Sequence, residues 1–234
     1  MTLLNIRKEL RKYSSKKQAK ILQRFFKTDP GEYGKWDIFI GVKVPNTRKI
    51  AKKHQSLPLK ETLKLLKSPI HEERLLALII LVLKYPKGSE ASKKAIYKAY
   101  LKHTKYINNW DLVDLTAPNI VGCYLANKSK KPLYKLAKSR LLWDRRISIL
   151  STFYFIRNNQ PKDTLKIAKI LLSNKEDLMH KAVGWMLREV GKRSENTEKT
   201  FLKRHYKIMP RTMLRYAIER FPESIRQAYL KGKV

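Results

Sequence analysis

The chain has 234 residues, 43% of them hydrophobic, so it is long enough to bury a sizeable core, and we expect one domain over residues 1–234. Lys and Arg number 53 against 19 Asp and Glu, which gives a formal net charge of +34. Such a charge repels itself unless a polyanion neutralises part of it, and nucleic acid is therefore the leading partner. Lysines that merely solvate exposed helix faces are the plainer alternative, and an acidic membrane surface is less favoured.

Cysteine content and hydropathy exclude other classes of protein. Cys123 is the only cysteine, so neither a disulfide framework nor a thiolate metal site is available. The longest apolar run, Leu75–Leu83, is too short to cross a bilayer, and no continuous apolar stretch follows the N-terminal residues. We therefore expect a cytoplasmic protein that has no membrane partner.

Apolar residues recur at helical spacing along most of the chain, as in Leu59, Leu63 and Leu66, and strand-like alternation is rare. The spacing predicts an all-α fold. Turn-forming residues predict that the helices are separated at Thr28–Trp36, Ser68–Pro69, Tyr85–Gly88, Asn158–Pro161, Ser173–Asn174, Met209–Pro210 and Phe221–Pro222.

Several predicted helices begin alike, which indicates a repeat. The residues in register are spaced by 37, 35, 35 and 34 positions and are Arg74, Asp111, Arg146, Lys181 and Arg215. This period is typical of paired-helix, HEAT-like solenoids, whose stacked pairs share one core and curve into a concave surface. A column made mostly of cations on the concave face would suit a rod-like polyanion such as DNA.

The segment Gly31–Trp36, with Tyr33 within it, precedes the string Phe39–Pro45 and Arg48. Its glycines and aromatic residues indicate a shaped loop rather than a loose linker. Its spacing matches no nucleotide-phosphate fingerprint.

A second segment, Asn108–Asp114, opens with an amide cap and an acidic first turn, which predicts a helix beginning near Trp110. Trp110 and Asp114 are four residues apart, so they share one helix face. Pro118 predicts a break or kink close behind them. The alternative is that Trp110 belongs to the core and Asp114 is a solvated acid favoured by the helix dipole.

A third segment, His180–Glu189, has Gly184 in mid-helix, where glycine costs about 1 kcal/mol relative to alanine. Something therefore needs to approach this backbone closely, and a neighbouring helix is the commoner cause. Trp185 is followed one turn later by Arg188. A single tryptophan of this kind is more often a core residue than a ligand-binding residue.

A fourth segment, Trp143–Arg146, begins another predicted helix. Its paired arginines, Arg145 and Arg146, can hold phosphate oxygens in a fork geometry, or they can form salt bridges with Asp144 and do nothing more.

Familiar catalytic motifs are missing from the sequence. His71-Glu72 lacks the second histidine of a zincin helix, and the other histidines show no ligand spacing, so we predict no metal site. There is no P-loop and no serine elbow, and the many lysines single out no Schiff-base nucleophile.

Taken together, four collinear motifs resemble the AlkD family of DNA alkylation repair glycosylases. They are Phe39–Pro45 with Arg48, Trp110–Asp114, Trp143–Leu150 and Lys181–Glu189, and with the residues between them they span about two-thirds of the chain. The resemblance implies a HEAT-like superhelix that removes cationic N3- and N7-alkylated purines from duplex DNA. In that family the excised base need not be flipped into a pocket, unlike in most glycosylases.

The resemblance also implies roles for individual residues. Trp110 and Trp185 match the family's two catalytic tryptophans, Asp114 its catalytic aspartate, Arg146 its backbone-contacting arginine, and Tyr33 a tyrosine near the lesion. We also predict DNA contacts from the nearby cations Arg145, Lys181, Arg188 and Arg48. The predicted activity is that of a monomeric, monofunctional alkylpurine DNA glycosylase of base excision repair, which releases 3-methyladenine and 7-methylguanine without a cofactor.

Two alternatives to an enzyme remain open at this point. A non-catalytic HEAT-like module would bind damaged or structured nucleic acid through the same cationic groove, because repeat arrays serve many binding roles. A protein-binding scaffold is less favoured, since it leaves the charge of +34 without a purpose.

Overall fold

The computed structural model describes residues 2–234, and its α-helices confirm the predicted all-α class. The α-helices are α1 (Leu3–Arg11), α2 (Lys16–Phe25), α3 (Val44–Lys53), α4 (Leu59–Leu66), α5 (His71–Lys84), α6 (Glu90–Lys102), α7 (Trp110–Ala117), α8 (Cys123–Leu125), α9 (Lys131–Ala137), α10 (Leu142–Arg157), α11 (Lys162–Leu171), α12 (Asp177–Gly191), α13 (Glu195–His205), α14 (Arg211–Ala217) and α15 (Glu223–Leu230). A π-helical turn spans Pro118–Gly122, between α7 and α8.

β-Structure in this part of the chain is limited to one isolated parallel bridge, between Ile38 and Ile70. Within residues 2–234, no helix combines the length and the apolar character that crossing a bilayer requires.

All seven predicted breaks fall between helices, but the first is longer than predicted, because the irregular segment runs from Phe26 to Lys43. Other breaks are not among those predicted: the break before α4 contains Pro58, and several others carry neither glycine nor proline. One of them is 192–194, where the hydroxyl of Ser194 accepts the N–H of Thr197 and caps α13.

The chain forms two compact units, of which one ends at Thr116 and the other begins at Ala117. In the first unit, α3 and α4 pack against α5, and α1 packs against α3. Every residue of α5 from His71 to Leu81 is buried. Residues Leu75–Leu81 of this helix form an apolar run with no polar face, and such a run is expected to lie inside a protein. Helix α5 is accordingly the centre of this unit.

The first turn of α5 buries charged side chains that tie down the long irregular segment. The Glu72 carboxylate, which is buried, accepts N–H bonds from Ile40 at 3.1 Å, Gly41 at 2.7 Å and Val42 at 3.2 Å. Gly41 has φ +81°, and a Cβ there would lie 2.1 Å from the carbonyl oxygen of Ser15. Only glycine fits this position, which lets the backbone pass close to Ser15 while it donates to the Glu72 carboxylate.

In the second unit the helices pair as the repeat predicts. Helix α10 packs against α9, α11 and α12, and α12 in turn packs against α11, α13 and α14. Arg146, Lys181 and Arg215 each occupy the fifth position of α10, α12 and α14, respectively. The repeat period is therefore reproduced as a structural register in this unit.

Gly184 lies where α12 meets α14, and the close approach predicted at this residue is confirmed. A Cβ at Gly184 would lie 2.4 Å from the carbonyl oxygen of Met213 and 2.5 Å from the Cβ of Tyr216. The neighbour is a helix, which was the commoner of the two explanations.

We predict that Gly184→Ala destabilises the protein by about 1–3 kcal/mol, because the added methyl group would meet backbone that cannot move independently. Urea denaturation would measure the loss. Gly88→Ala is the matched control, since its Cβ would meet chiefly the flexible side chain of Ser92, at 2.9 Å. A Gly184→Ala protein as stable as the wild type would contradict the close packing of α12 on α14.

Candidate active site

Helix α7 begins at Trp110, as its cap predicts. The Oδ1 atom of Asn109 accepts the backbone N–H of Trp110 at 2.8 Å, and Oδ1 of Asp111 accepts the N–H of Leu112 at 2.9 Å. Asn109 is buried, and its Nδ2 also donates to Asp37 at 3.1 Å. The start of α7 is thus fixed both by its own side chains and by the irregular segment before α3.

The indole of Trp110 lies in an aromatic cluster supplied by α2 and the residues after it. Its ring stacks on Phe26 with centroids 5.2 Å apart, and Phe25 meets it edge-on at 5.8 Å. Its Nε1 donates to the hydroxyl of Tyr33 at 3.3 Å. The structure therefore brings together Tyr33 and Trp110, two candidates that are 77 positions apart in the sequence.

Asp114 follows one turn later on α7 and is half-buried. Beneath α7 lies the fully buried Tyr100, whose hydroxyl is 2.8 Å from Oγ1 of Thr116. Because Thr116 uses its own proton to bind the carbonyl of Leu112 at 2.5 Å, Tyr100 is the donor to Thr116. Burial first, and then the negative charge of Asp114, raise the pKa of Tyr100. The Tyr100 phenol is therefore neutral at neutral pH and acts as a hydrogen-bond donor.

Pro118 interrupts the α-helical hydrogen bonding behind Asp114, as predicted, although the backbone stays helical. Pro118 has no N–H, so the carbonyl of Asp114 receives no α-helical bond from it, and the helix changes to the π-helical turn Pro118–Gly122. The α-helix that carries Trp110 and Asp114 consequently ends at Ala117.

A buried chain of charges connects α7 to α5. The Nδ1 atom of His71 is 2.9 Å from Oδ2 of Asp37, and its Nε2 is 2.9 Å from Oδ2 of Asp111. Arg74 donates from Nη2 to Oδ1 of Asp37 at 2.6 Å. We call these four residues the Asp111–Arg74 ion chain. It has two cations and two anions, so it is neutral when His71 is protonated.

The protonation of this ion chain follows from its surroundings. Burial alone would lower the pKa of His71, but the charge of Asp111 and hydrogen bonds to Asp111 and Asp37 outweigh burial and raise it to about 9. Burial likewise opposes ionisation of Asp37, but the hydrogen bond from His71 and the charge of Arg74 hold the pKa of this carboxyl below its usual value. His71 is thus an imidazolium that donates from both ring nitrogens at neutral pH.

The ion chain also supports the aromatic cluster. Phe39 stacks on the His71 ring at 4.4 Å, and Phe26 lies 5.2 Å from the same ring while it stacks on Trp110. Phe26 therefore packs between the indole of Trp110 and the buried imidazolium of His71.

Sequence reasoning missed this ion chain. In the sequence, His71 suggests only half of a zinc motif, and the repeat spacing places Arg74 in a column of cations expected to face DNA. Arg74 is instead buried, and it bonds to Asp37 and to the carbonyls of Ser68 and Pro69. The expectation for Arg74 is therefore corrected. Among the described residues, no group of three or more His, Cys, Asp or Glu side chains is placed to hold a metal ion.

Trp185 lies on α12 in the second unit and is half-buried. Its Nε1 donates to Glu189 at 3.1 Å, and its ring is 5.7 Å from that of Phe153, which carries Arg157 at 4.0 Å from its centroid. Arg188 pairs with Glu219, which lies in the short 3-10 turn Ile218–Arg220 after α14. Glu189 and Phe153 therefore contact the indole of Trp185, while part of the indole stays accessible to solvent.

The remaining candidate cations differ in accessibility. Arg48 is exposed and Lys181 is half-buried, with its Nζ 2.7 Å from Asp177. Arg145 is half-buried and pairs with Glu176, not with the Asp144 considered in the sequence. Arg146 is 5% exposed and donates to the carbonyl of Leu178 at 2.6 Å.

The raised pKa of His71 predicts a pH-dependent stability. A cation whose pKa rises from 6.5 to about 9 on folding stabilises the protein fully below pH 6.5, and the effect is lost as the pH rises through 9. The difference in unfolding free energy between the wild type and His71→Asn should therefore shrink by about 3 kcal/mol between pH 6 and pH 10.

Urea denaturation across this pH range would measure the difference. His180→Asn is the matched control, because the ring of His180 bonds to the carbonyl of Asn174 and not to a carboxylate. A difference for His71→Asn that stays constant over the range would contradict a protonated His71.

Comparisons with known proteins agree with this fold. A predicted DNA alkylation repair enzyme from Enterococcus faecalis superposes with a TM-score of 0.69 at 14% identity, over 90% of this chain and 97% of that one. AlkD2 from Streptococcus mutans superposes with a TM-score of 0.56 at 16% identity, over 89% of this chain and 99% of that one. At such identities the likeness shows the fold. No curated protein matches the sequence significantly.

The family assignment comes from the sequence itself. The family model for DNA alkylation repair enzymes matches residues 6–221, which include Trp110, Asp114 and Trp185. The match covers most of the chain. This chain belongs to the DNA alkylation repair enzyme family.

Proposed function

We propose that the protein is a monofunctional DNA glycosylase that hydrolyses the N-glycosidic bond of cationic alkylated purines, such as 3-methyladenine and 7-methylguanine, in duplex DNA. The observation that carries the proposal is that the half-buried carboxylate of Asp114 lies one turn after the indole of Trp110 on α7. Membership of a family of DNA alkylation repair enzymes and the net charge of +34 support DNA as the substrate.

The chemistry of the substrate explains why a carboxylate suffices. Alkylation at N3 or N7 gives the purine a positive charge, so the base leaves without prior protonation. As the bond between C1′ and the base nitrogen breaks, its electron pair neutralises the base, and the sugar becomes an oxocarbenium-like cation. Asp114 would stabilise that cation and orient the water that attacks C1′. The products are a neutral free base, an abasic site and a proton released to solvent.

The aromatic residues would make the site selective for charge. An indole face favours a cation by about 0.5–2 kcal/mol, depending on how far water is excluded. Trp110 is held for this role by Phe26 and by the hydroxyl of Tyr33. Trp185 has its proposed role as the second catalytic tryptophan from the family resemblance alone. Such a site would recognise the charge of the lesion and not the identity of the base.

Surface cations would hold the DNA backbone. Lys181 pairs with the exposed Asp177, and such a surface pair is worth at most about 1 kcal/mol, so a phosphate can replace Asp177. Arg188 is half-buried and pairs with the exposed Glu219, so it is a second candidate for a phosphate contact. Arg48 is exposed. Of the two adjacent arginines proposed to contact phosphate, Arg145 offers more surface than the buried Arg146.

Base release from methylated duplex DNA tests the proposal. We predict that the wild type releases 3-methyladenine and 7-methylguanine, and that Asp114→Asn lowers the single-turnover rate by about 100-fold or more while DNA binding persists. Glu61→Gln is the matched control, because Glu61 pairs with Lys64 on the same helix, α4. Salt-sensitive DNA binding without any base release by the wild type would overturn the glycosylase and favour a non-catalytic binding module.

A separate prediction concerns the DNA backbone. Lys181→Ala should weaken binding to all DNA sequences alike and should reduce the slope of log K against log salt by about 1, because one phosphate contact is lost. Fluorescence anisotropy at several salt concentrations would measure this slope. Lys162→Ala, at an exposed position of α11 in the same unit, is the control for loss of charge alone. An equal change in slope for both variants would contradict a specific contact by Lys181.

A further inference from the structure

Trp36 is the most exposed large hydrophobic residue among those described, at 81%. Tryptophan carries the largest apolar surface of any side chain, and proteins usually bury most of it or cover it with a partner. The Trp36 side chain packs on no other aromatic ring in the described chain, and the ammonium of Lys35 lies 4.7 Å from its centroid. The core of the first unit therefore does not explain this residue.

The backbone presents Trp36 in an unfavourable conformation. Its φ is +74°, in the left-handed region that glycine adopts without strain and that bulky residues avoid. The loop is fixed on both sides of it. A Cβ at Gly34 would lie 2.2 Å from the carbonyl of Phe26, and Asp37 is bound by His71 and Arg74. Residues that the surrounding structure holds in a strained backbone conformation occur most often at functional sites.

A cavity of about 230 Å³ lies beside Trp36 and is lined by Lys67, Lys105, Tyr106 and Asn108, among others. Its one acidic lining residue, Asp37, is buried and neutralised within the Asp111–Arg74 ion chain. The cavity wall is therefore cationic and aromatic. The Oδ1 atom of Asn108 is buried without a hydrogen-bond partner among the described residues, so the wall also contains an unused acceptor.

We propose that Trp36 and this cavity form a subsite for an unpaired nucleotide, in which the base stacks on the indole and the phosphate meets Lys67 and Lys105. Bases within a duplex present only their edges, whereas a base that has left the stack exposes a face on which an aromatic ring can pack. Lysines supply the charge for the phosphate. Asn108 lies two residues before Trp110, so the subsite adjoins the start of the proposed catalytic helix.

This inference takes its polymer, DNA, from the proposed function, but it concerns a different step, the capture of a displaced nucleotide. The test uses two undamaged duplexes of the same sequence, of which one carries a single unpaired 2-aminopurine. We expect the wild type to bind the bulged duplex more tightly and to quench its 2-aminopurine fluorescence.

Trp36→Gly should weaken binding to the bulged duplex by about tenfold and abolish the quenching, with little effect on the fully paired duplex. The variant should melt at the same or a higher temperature than the wild type, because glycine relieves the strained φ. Trp36→Phe should keep most of the preference. Tyr13→Ala is the control, because Tyr13 is an aromatic residue of the same unit that is 37% exposed.

If Trp36→Gly binds both duplexes as tightly as the wild type does, the proposed nucleotide subsite is wrong. The exposed indole would then be assigned to contact with a protein partner. Equal weakening on both duplexes would also overturn it, since the residue would then act on DNA without regard to pairing. The probes contain no alkylated base. Failure of the wild type to release methylated bases would therefore leave this test intact and would count against the proposed glycosylase alone.

Discussion

The first unit of this protein depends on a buried charge network that begins at the N-terminus of α5. His71 bridges Asp37 and Asp111, and Arg74 completes the pairing of Asp37. Removing one member would leave a buried charge unpaired, which costs about 3–5 kcal/mol in proteins where it has been measured. The network joins three segments that are distant in the sequence. The position of α7 therefore depends on charges that belong to α5 and to the irregular segment before α3.

The buried charge network positions the residues of the proposed active site. Asp111 is the second residue of α7, so its bond to His71 fixes the turn that carries Trp110 and, one turn later, Asp114. The same imidazolium lies under Phe39 and Phe26, and Phe26 supports the indole of Trp110. A site that must hold a carboxylate and an indole in a fixed relation gains from such support, because small displacements of catalytic groups are costly.

Local patterns predicted much of the fold and part of the site. Helical periodicity, the repeat spacing and the cap before Trp110 depend on neighbours in the sequence, and the structure agrees with them. The ion chain could not be predicted in this way, because Asp37 and Asp111 meet His71 across 34 and 40 positions. Arg74 was misplaced for the same reason: in the sequence it resembles the other cations at helix starts, and only its tertiary partner shows that it is structural. The close approach at Gly184 was predictable, since a glycine in mid-helix is costly unless packing requires it.

The protonation of His71 is the most direct test of this account, because the neutrality of the network and the support beneath Trp110 both depend on it. Nitrogen-15 NMR of the histidine side chains, recorded as the pH is raised from 6 to 10, would follow the two ring nitrogens of His71 individually. The account predicts that both remain protonated at pH 7.5 and titrate with a pKa of about 9. A neutral ring at pH 7.5, with an ordinary pKa near 6.5, would contradict it and leave the start of α7 without its charged support.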